Sequence, residues 1–335
     1  MEGSAAGETM KLRVLSRDHV REAIPMEEAI DAMREAFGQL SAYQADIPLR
    51  TPVSGDGGVV LFMPGRLKKT GAMGAKVVSV FEENSERGLP AVNALVLMVD
   101  PGTGRPRVLV EGSYLTALRT GAASGLATEL LARDDASVLT IFGAGVQART
   151  QVEAVRAVRP IEAVRIVSRT RASAEAFAEE LEEGDGDLEV QVREDRSEAL
   201  AGAHVVCTAT TSSEPVFSGD DVEPGTHVNG VGSYTSSMRE VDDAFVARAR
   251  IVVDSVDAAM SEAGDIIGPI RRNVISRTQI HGELGEIVNG EKDRRRDAEE
   301  VTFFKSVGNA AQDLAVGRRL MERAEEEDLG TEVTL

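Results

Sequence analysis

Ser137-Val138-Leu139-Thr140-Ile141-Phe142-Gly143-Ala144-Gly145-Val146-Gln147-Ala148 reads as a buried strand running into G-x-G-x-x-A and then a helix. Each small residue in it has a physical reason. Gly143 allows the tight turn out of the strand, Gly145 lets backbone amides approach a pyrophosphate, and Ala148 keeps the helix close to the sheet. The helix N-terminus offers that anion unsatisfied N–H groups and a partial positive charge. A glycine pair alone would be only a common turn. The strand before it, the helix after it and the alternation downstream point to a dinucleotide site, with Gly143, Ala144, Gly145, Val146 and Gln147 facing the cofactor.

Outward from this stretch the chain changes character at Asp134. Beyond it, strands are expected at Ala136–Phe142, Ala163–Ser168, Glu189–Arg193 and Ala203–Ala209, with further apolar runs at Thr226–Val231 and Arg250–Asp254. Helical stretches at Val146–Val158, Ala172–Glu183 and Ser197–Leu200 separate the first four, which predicts a parallel sheet covered on both faces. Before Asp134 the pattern differs. Met1–Met10 reads as a frayed start, and Leu15–Leu40 as an amphipathic helical region whose main part opens at Pro25. Short β runs follow at Ile47–Val53, Gly58–Met63, Gly74–Phe81, Ala91–Asp100 and Pro106–Glu111, the last two joined by the turn Asp100-Pro101-Gly102-Thr103-Gly104. A small-residue helix, Ser113–Ala132, closes an α+β unit built on an antiparallel sheet.

A final helix is expected over Lys305–Glu327, with Val307, Ala311, Leu314 and Leu320 on one stripe. That stripe needs a partner, and the first unit is the obvious one. The fold class predicted is therefore α/β: a Rossmann-type parallel-sheet domain, residues 126–304, inserted in a discontinuous α+β domain made of residues 1–125 plus 305–335.

Composition narrows the function classes. The 335 residues are 42% hydrophobic and 28% charged, enough for two cores on a soluble surface. No apolar run approaches the ~18 residues of a membrane span, and the N-terminus lacks a signal-peptide pattern, so a cytoplasmic protein is expected. One cysteine, Cys207, excludes an internal disulfide framework. No pair of histidines has ligand spacing, so no metal is expected. Trp is absent and the net charge is −19, which argues against nucleic acid and anionic membranes as partners. Only six of 37 basic residues are lysine. Acid-rich and lysine-poor composition suits a salt-rich cytoplasm; a GC-rich genome explains the arginine bias equally well.

The end of the second expected strand bears on NAD against NADP. A carboxylate for the ribose 2′-OH is expected ~20 residues after the glycine motif. Instead Val164-Arg165-Ile166-Val167 runs into Ser168-Arg169-Thr170-Arg171. Hydroxyls and two guanidinium groups suit a 2′-phosphate, so NADP is favoured over NAD, with Ser168, Arg169 and Thr170 at the cofactor. Two arginines solvated on a loop would read the same way.

Several segments keep a common order from about Arg50 to the end: Arg50 in IPLRTPV, Lys76 in GAMGAKVVSVFEEN, and Arg119-Thr120-Gly121-Ala122-Ala123-Ser124 in YLTALRTGAASGLA. FGAGVQART, VGSYTSSMREVD from Val231, LGEIVNG from Leu284 and FKSVGNAAQDLA from Phe304 continue the series. Together they resemble the ornithine cyclodeaminase/μ-crystallin family, which includes archaeal-type alanine dehydrogenases and ketimine reductases. The resemblance implies a homodimer, with the discontinuous domain binding substrate and dimerising, and a nicotinamide site beside a carboxylate pocket. It implies Arg50 and Arg119 as clamps for the substrate carboxylate, Lys76 at the reacting carbon, and Thr120, Thr208, Ala209, Val231, Lys305 and Ser306 along the cofactor. Physical chemistry fits these roles. Arginine's fork holds a carboxylate in a fixed plane. A lysine in an apolar strand near two guanidinium charges is depressed towards neutrality and suited to acid–base work. A lysine snorkelling from a strand edge, with both arginines on the surface, remains the alternative.

Two departures bear on the substrate. The resemblance implies that ornithine cyclodeaminases carry an Asp where Tyr234 falls here, and a Glu for the distal ammonium where Leu61 falls. An unpaired ammonium against leucine costs several kcal/mol. The expected function is an NAD(P)-dependent oxidoreductase interconverting a small amino acid and its 2-oxo or 2-imino acid. The alternatives are an ornithine cyclodeaminase, a lyase that recycles its cofactor, and a non-catalytic NADP-dependent binding protein.

Overall fold

The computed structural model describes residues 9–335; Met1–Glu8, most of the stretch read as a frayed start, lie outside the described residues. The first half contains β1 (Lys11–Leu15), α1 (Arg17–Ala23), α2 (Met26–Ser41), β2 (Ala45–Asp46), β3 (Thr51–Gly55), β4 (Gly58–Leu67), β5 (Met73–Val80), β6 (Val92–Val99), β7 (Pro106–Glu111) and α3 (Gly112–Leu131). Next come β8 (Val138–Phe142), α4 (Val146–Val158), β9 (Ala163–Val167), α5 (Arg171–Gly184), β10 (Glu189–Val192), α6 (Arg196–Leu200), β11 (Val205–Thr208) and β12 (His227–Gly230). The remainder is α7 (Asp243–Arg248), β13 (Arg250–Val253), α8 (Val256–Glu262), α9 (Gly264–Arg271), β14 (Ile280–Glu283), α10 (Leu284–Val288), β15 (Thr302–Lys305), α11 (Ala310–Glu326) and β16 (Thr331–Thr334).

These strands form two sheets. The first runs β16-β1-β7-β6-β5-β4-β2, with β3 also on β4, and draws its strands from both chain ends. It is antiparallel except where β1 lies parallel to β7. The second is wholly parallel, β10-β9-β8-β11-β12-β15-β13-β14. Its strand order reverses between β8 and β11, the crevice in which open α/β sheets bind ligands. This is the Rossmann-type architecture expected from the glycine motif.

Helix α3 joins the two halves. Almost all of it is buried, from Leu115 to Leu131, because it packs on α2, on α4 and beneath both sheets. Gly121 makes the crossing with α4 possible: a Cβ there would lie 2.4 Å from the Thr150 carbonyl oxygen. Glu111 caps the helix, accepting from the Ser113 and Tyr114 amides at 2.8 and 3.0 Å.

Three expectations are corrected. Ile47–Val53 is not one strand: β2 and β3 flank a loop, since Pro48 denies the ladder a donor and restricts Ile47. The last helix begins at Ala310 rather than Lys305, because Gly308 has φ +78° and Asn309 caps the helix by accepting from the Ala311 amide. Thr302–Lys305 is instead a strand, inserted in the second sheet between β12 and β13. On the outer face of the first sheet, Phe62, Val77 and Leu95 stand side by side in register and exposed.

Candidate active site

Lys76 sits in the middle of β5, between Met63 of β4 and Val96 of β6, and is only 1% exposed. It does not snorkel. Its ammonium donates to Oδ1 of Asp313 on α11 at 2.8 Å and lies 2.7 Å from Oδ2. Arg119, on α3, donates from Nε to the same carboxylate at 3.1 Å and from Nη1 to Gln312 Oε1 at 2.6 Å. Asp313 thus fixes both cations. Burial is the main influence on Lys76 and pushes its pKa down to about 8; Asp313 opposes this, while Arg119 and Arg50 add to the lowering. The guanidinium effect expected from sequence is present, but secondary to desolvation.

Arg50 reaches the same region from the loop before β3. It bonds Glu262 at the end of α8, Nε to Oε1 at 2.7 Å and Nη2 to Oε2, and donates to the Tyr234 carbonyl at 3.2 Å. Leu61, Met63, Val78, Ala94 and Ala310 form an apolar cluster on the Lys76 face of the sheet, with Ile47 against it. Two carboxylates lie in this region, Glu240 and Glu82, and neither is a simple replacement for the acidic groups missing at Tyr234 and Leu61. Glu240 is fully buried and accepts from Thr208 Oγ1, Thr210 N and Oγ1, and the Gly232 and Ser233 amides. Glu82 lies near enough to Tyr234 to raise its pKa, behind the larger effect of burial.

The glycine turn lies at the carboxyl end of β8. Gly143 has φ +114°, and a Cβ there would meet the Ala209 carbonyl oxygen at 2.5 Å. Gly145 caps α4 without a side chain and has open space where a Cβ would be. Ala144, Val146 and Gln147 complete an uncapped helix N-terminus that fits a pyrophosphate. Ser168, Arg169 and Thr170 follow β9 at the neighbouring strand end, half-buried or exposed. Here a correction is needed. Arg171 is not free for a 2′-phosphate, since it pairs with Glu175 at 2.7 Å and Glu194 at 2.6 Å. Arg169 makes no ion pair among the described residues.

The other residues assigned to the cofactor lie at this crevice with their side chains turned inward. Thr120 donates to the Thr116 carbonyl of its own helix, and Thr208 to Glu240. Ser306 donates to Asp254, whose carboxylate also accepts from the Val307 and Gly308 amides. Lys305 is fully buried, 3.1 Å from Asp265 and 2.6 Å from the Ser233 carbonyl. Ala209 and Val231 lie at the strand ends, their amides bonded to Phe142 and Thr208 carbonyls. These bonds hold the side chains of Thr120, Thr208, Lys305 and Ser306 in fixed orientations.

Asp313, Gln312, Asp254 and Glu262 escaped the sequence reading. Asp313 left one trace: a carboxylate beside Leu314 on an otherwise apolar helical stripe. Asp254 and Glu262 act across the fold and left none. The histidines supply no metal site, and among the described residues no group of three or more His, Cys, Asp and Glu side chains could hold an ion. His227 is buried between Thr302 and Asn229, and burial drives its pKa down to about 3.

The chain is similar to known proteins over nearly its whole length. A Δ1-pyrroline-2-carboxylate reductase of Bacillus cereus is 40% identical over 323 residues, covering 96% of this chain and 99% of the relative. The structure of Thermococcus litoralis Δ1-pyrroline-2-carboxylate reductase in complex with NADH and L-proline superposes with a TM-score of 0.93 at 42% identity, over 96% of this chain and 100% of that one. An archaeal alanine dehydrogenase dimer with bound NAD gives 0.91 at 33% identity, over 97% and 99%. The family model for ornithine cyclodeaminase/mu-crystallin matches residues 10–328. The chain belongs to the ornithine cyclodeaminase/mu-crystallin family.

Proposed function

We propose that the protein reduces a small cyclic 2-imino acid, of the Δ1-pyrroline-2-carboxylate type, to the corresponding cyclic amino acid. The broader class stands without the substrate: the chain is an NAD(P)-dependent oxidoreductase of amino and imino acids. The observation that carries the narrower reading is the pairing of a buried Lys76, its pKa lowered by that burial, with an apolar wall of Leu61, Met63 and Ala310. That wall suits ring methylenes and offers nothing to a distal ammonium.

The nicotinamide, when bound, supplies the hydride. The chain's own residues do the rest. Arg119, held by Asp313 and Gln312, keeps Nη2 free of partners among the described residues and presents it, with Arg50, to the substrate carboxylate. Lys76 holds a proton beside the imine carbon and nitrogen and gives or takes it according to direction. We further propose that residues 1–125 plus 305–335 form the substrate and dimerisation unit and residues 126–304 the cofactor unit. The homodimer is supported by the exposed row of Phe62, Val77 and Leu95, an apolar face suited to a second copy.

The test is stoichiometry. Δ1-pyrroline-2-carboxylate should be reduced with one-to-one loss of NADH or NADPH, faster than pyruvate with ammonium, and L-ornithine should give no proline with catalytic cofactor. Proline from ornithine at turnover rates would instead assign the lyase reaction. Because the net charge of −19 supports a salt-rich cytoplasm as the working medium, the assay should gain activity as KCl rises towards molar concentration.

For the cofactor we propose NADP over NAD, now resting on Arg169 alone. The expected result is tighter NADPH than NADH binding by titration calorimetry, with the preference falling about tenfold in Arg169→Ala, the worth of one charge-assisted bond. Tighter NADH binding in the unmodified protein reverses this assignment.

A further inference from the structure

Arg50 already holds a carboxylate. Its Nε and Nη2 meet the two oxygens of Glu262, the two-bond fork in which a guanidinium receives any carboxylate. The partners come from the two halves of the fold, Arg50 from the loop leading into β3 of the first sheet and Glu262 from the helix after β13 of the second. Their side chains are 13% and 20% exposed and line, with Met63, Ser255 and Asn309, a cleft of about 50 Å³. That is room for water and not for an imino acid, since ligand pockets run to several hundred Å³.

We propose that Glu262 is a built-in competitor for the substrate carboxylate: it occupies the fork of Arg50 until substrate displaces it, and the displacement parts the two halves at this cleft. The proposal rests on the reading of Arg50 as a carboxylate clamp. Two features favour competition over a purely structural pair. The Nε/Nη2 edge that Glu262 occupies is one of the two on which a guanidinium takes a carboxylate in a two-bond fork, so an incoming carboxylate meets a rival there. The exchange also conserves charge, one carboxylate replacing another on the same cation, so the half-buried Arg50 need not be left without a counter-charge when the pair opens.

A site that is competent only when its own carboxylate has left binds more weakly by the fraction of time it is open. Removing the competitor should restore that fraction. Glu262→Gln should therefore lower KM for the cyclic imino acid about three- to tenfold while changing kcat little. It should also tighten binding of cyclopentanecarboxylate, a ring carboxylate without nitrogen, to the enzyme saturated with NADPH by a similar factor in calorimetry. Glu262→Asp, one methylene shorter, should move both values the same way by less, and provides the reading if the amide variant does not fold.

Unchanged values in both assays would make the pair structural and overturn the proposal. A raised KM for the imino acid, with cyclopentanecarboxylate binding unaffected, would overturn it by assigning Glu262 to the substrate nitrogen. Wild-type enzyme that reduces no cyclic imine would refute the proposed reaction; the cyclopentanecarboxylate titration would still decide the role of Glu262.

Discussion

Lys76→Ala should abolish useful turnover, lowering kcat/KM for the imino acid by ~10²–10⁴-fold, the usual contribution of a positioned proton donor. Cofactor affinity should hardly move, because Lys76 lies in the first sheet and the glycine turn in the second. Loss of less than tenfold would remove the acid–base role. The pH profile of the unmodified enzyme supplies an independent check. With the Lys76 pKa lowered to about 8, the protonated amine that reduction needs is present below that value and lost above it. Reductive kcat/KM should therefore fall as pH rises through about 8, and oxidation of the amino acid, which needs the free amine, should rise over the same range. Both limbs should vanish in the alanine variant.

The second large effect is expected from Asp313→Asn. This carboxylate is fully buried and faces two cations, Lys76 and Arg119. Breaking a buried pair by removing one partner typically costs ~3–5 kcal/mol, because the remaining charge is left uncompensated. Asp313 raises the Lys76 pKa against the pull of burial, so its loss should carry that pKa further below 8 and shift the alkaline limb of the reductive profile to lower pH. The sign for stability follows from the same shift. Lys76 titrates lower in the folded chain than in the unfolded one, so between those two values the unfolded state binds more protons and stability rises with pH. In the variant this window reaches to lower pH. The melting-temperature deficit should be largest below neutrality and shrink towards pH 9, a trend that differential scanning calorimetry would read directly. A deficit independent of pH would mean that Lys76 is not the charge left stranded.

The sequence made the nucleotide half legible because its signals are local. The strand before Gly143, the glycines and the helix after them are contiguous, and backbone sterics set their geometry: Gly143 does adopt a positive φ against the Ala209 carbonyl. Lys76, Arg50 and Arg119 are legible through the family resemblance of the segments that carry them, and for Lys76 an apolar strand adds a physical reason to ask what the charge does. Their partners were hidden for the opposite cause. Asp313 lies 237 residues from Lys76, and Glu262 lies 212 from Arg50, so nothing in local periodicity couples them. Arg171 misled because a guanidinium near a strand end looks available in sequence; its two glutamates come from its own helix and from beyond β10. Thr302–Lys305 is not legible as a strand, and Lys305 is read as the start of the following helix, because a four-residue strand with an apolar centre is too short for its period to declare itself.

That short strand has a consequence for the protein's biosynthesis. β15 fills the place between β12 and β13, so the parallel sheet keeps a gap, and two unpaired interior edges, until Thr302–Lys305 have left the ribosome, well after both neighbours. Open edges of this kind invite pairing with other chains. Asp313 follows eight residues after Lys305, so closing the gap and delivering the counter-charge to Lys76 belong to one late event. A message truncated before Thr302 should yield neither a cofactor domain nor a partial enzyme, but an aggregation-prone chain for proteases to clear.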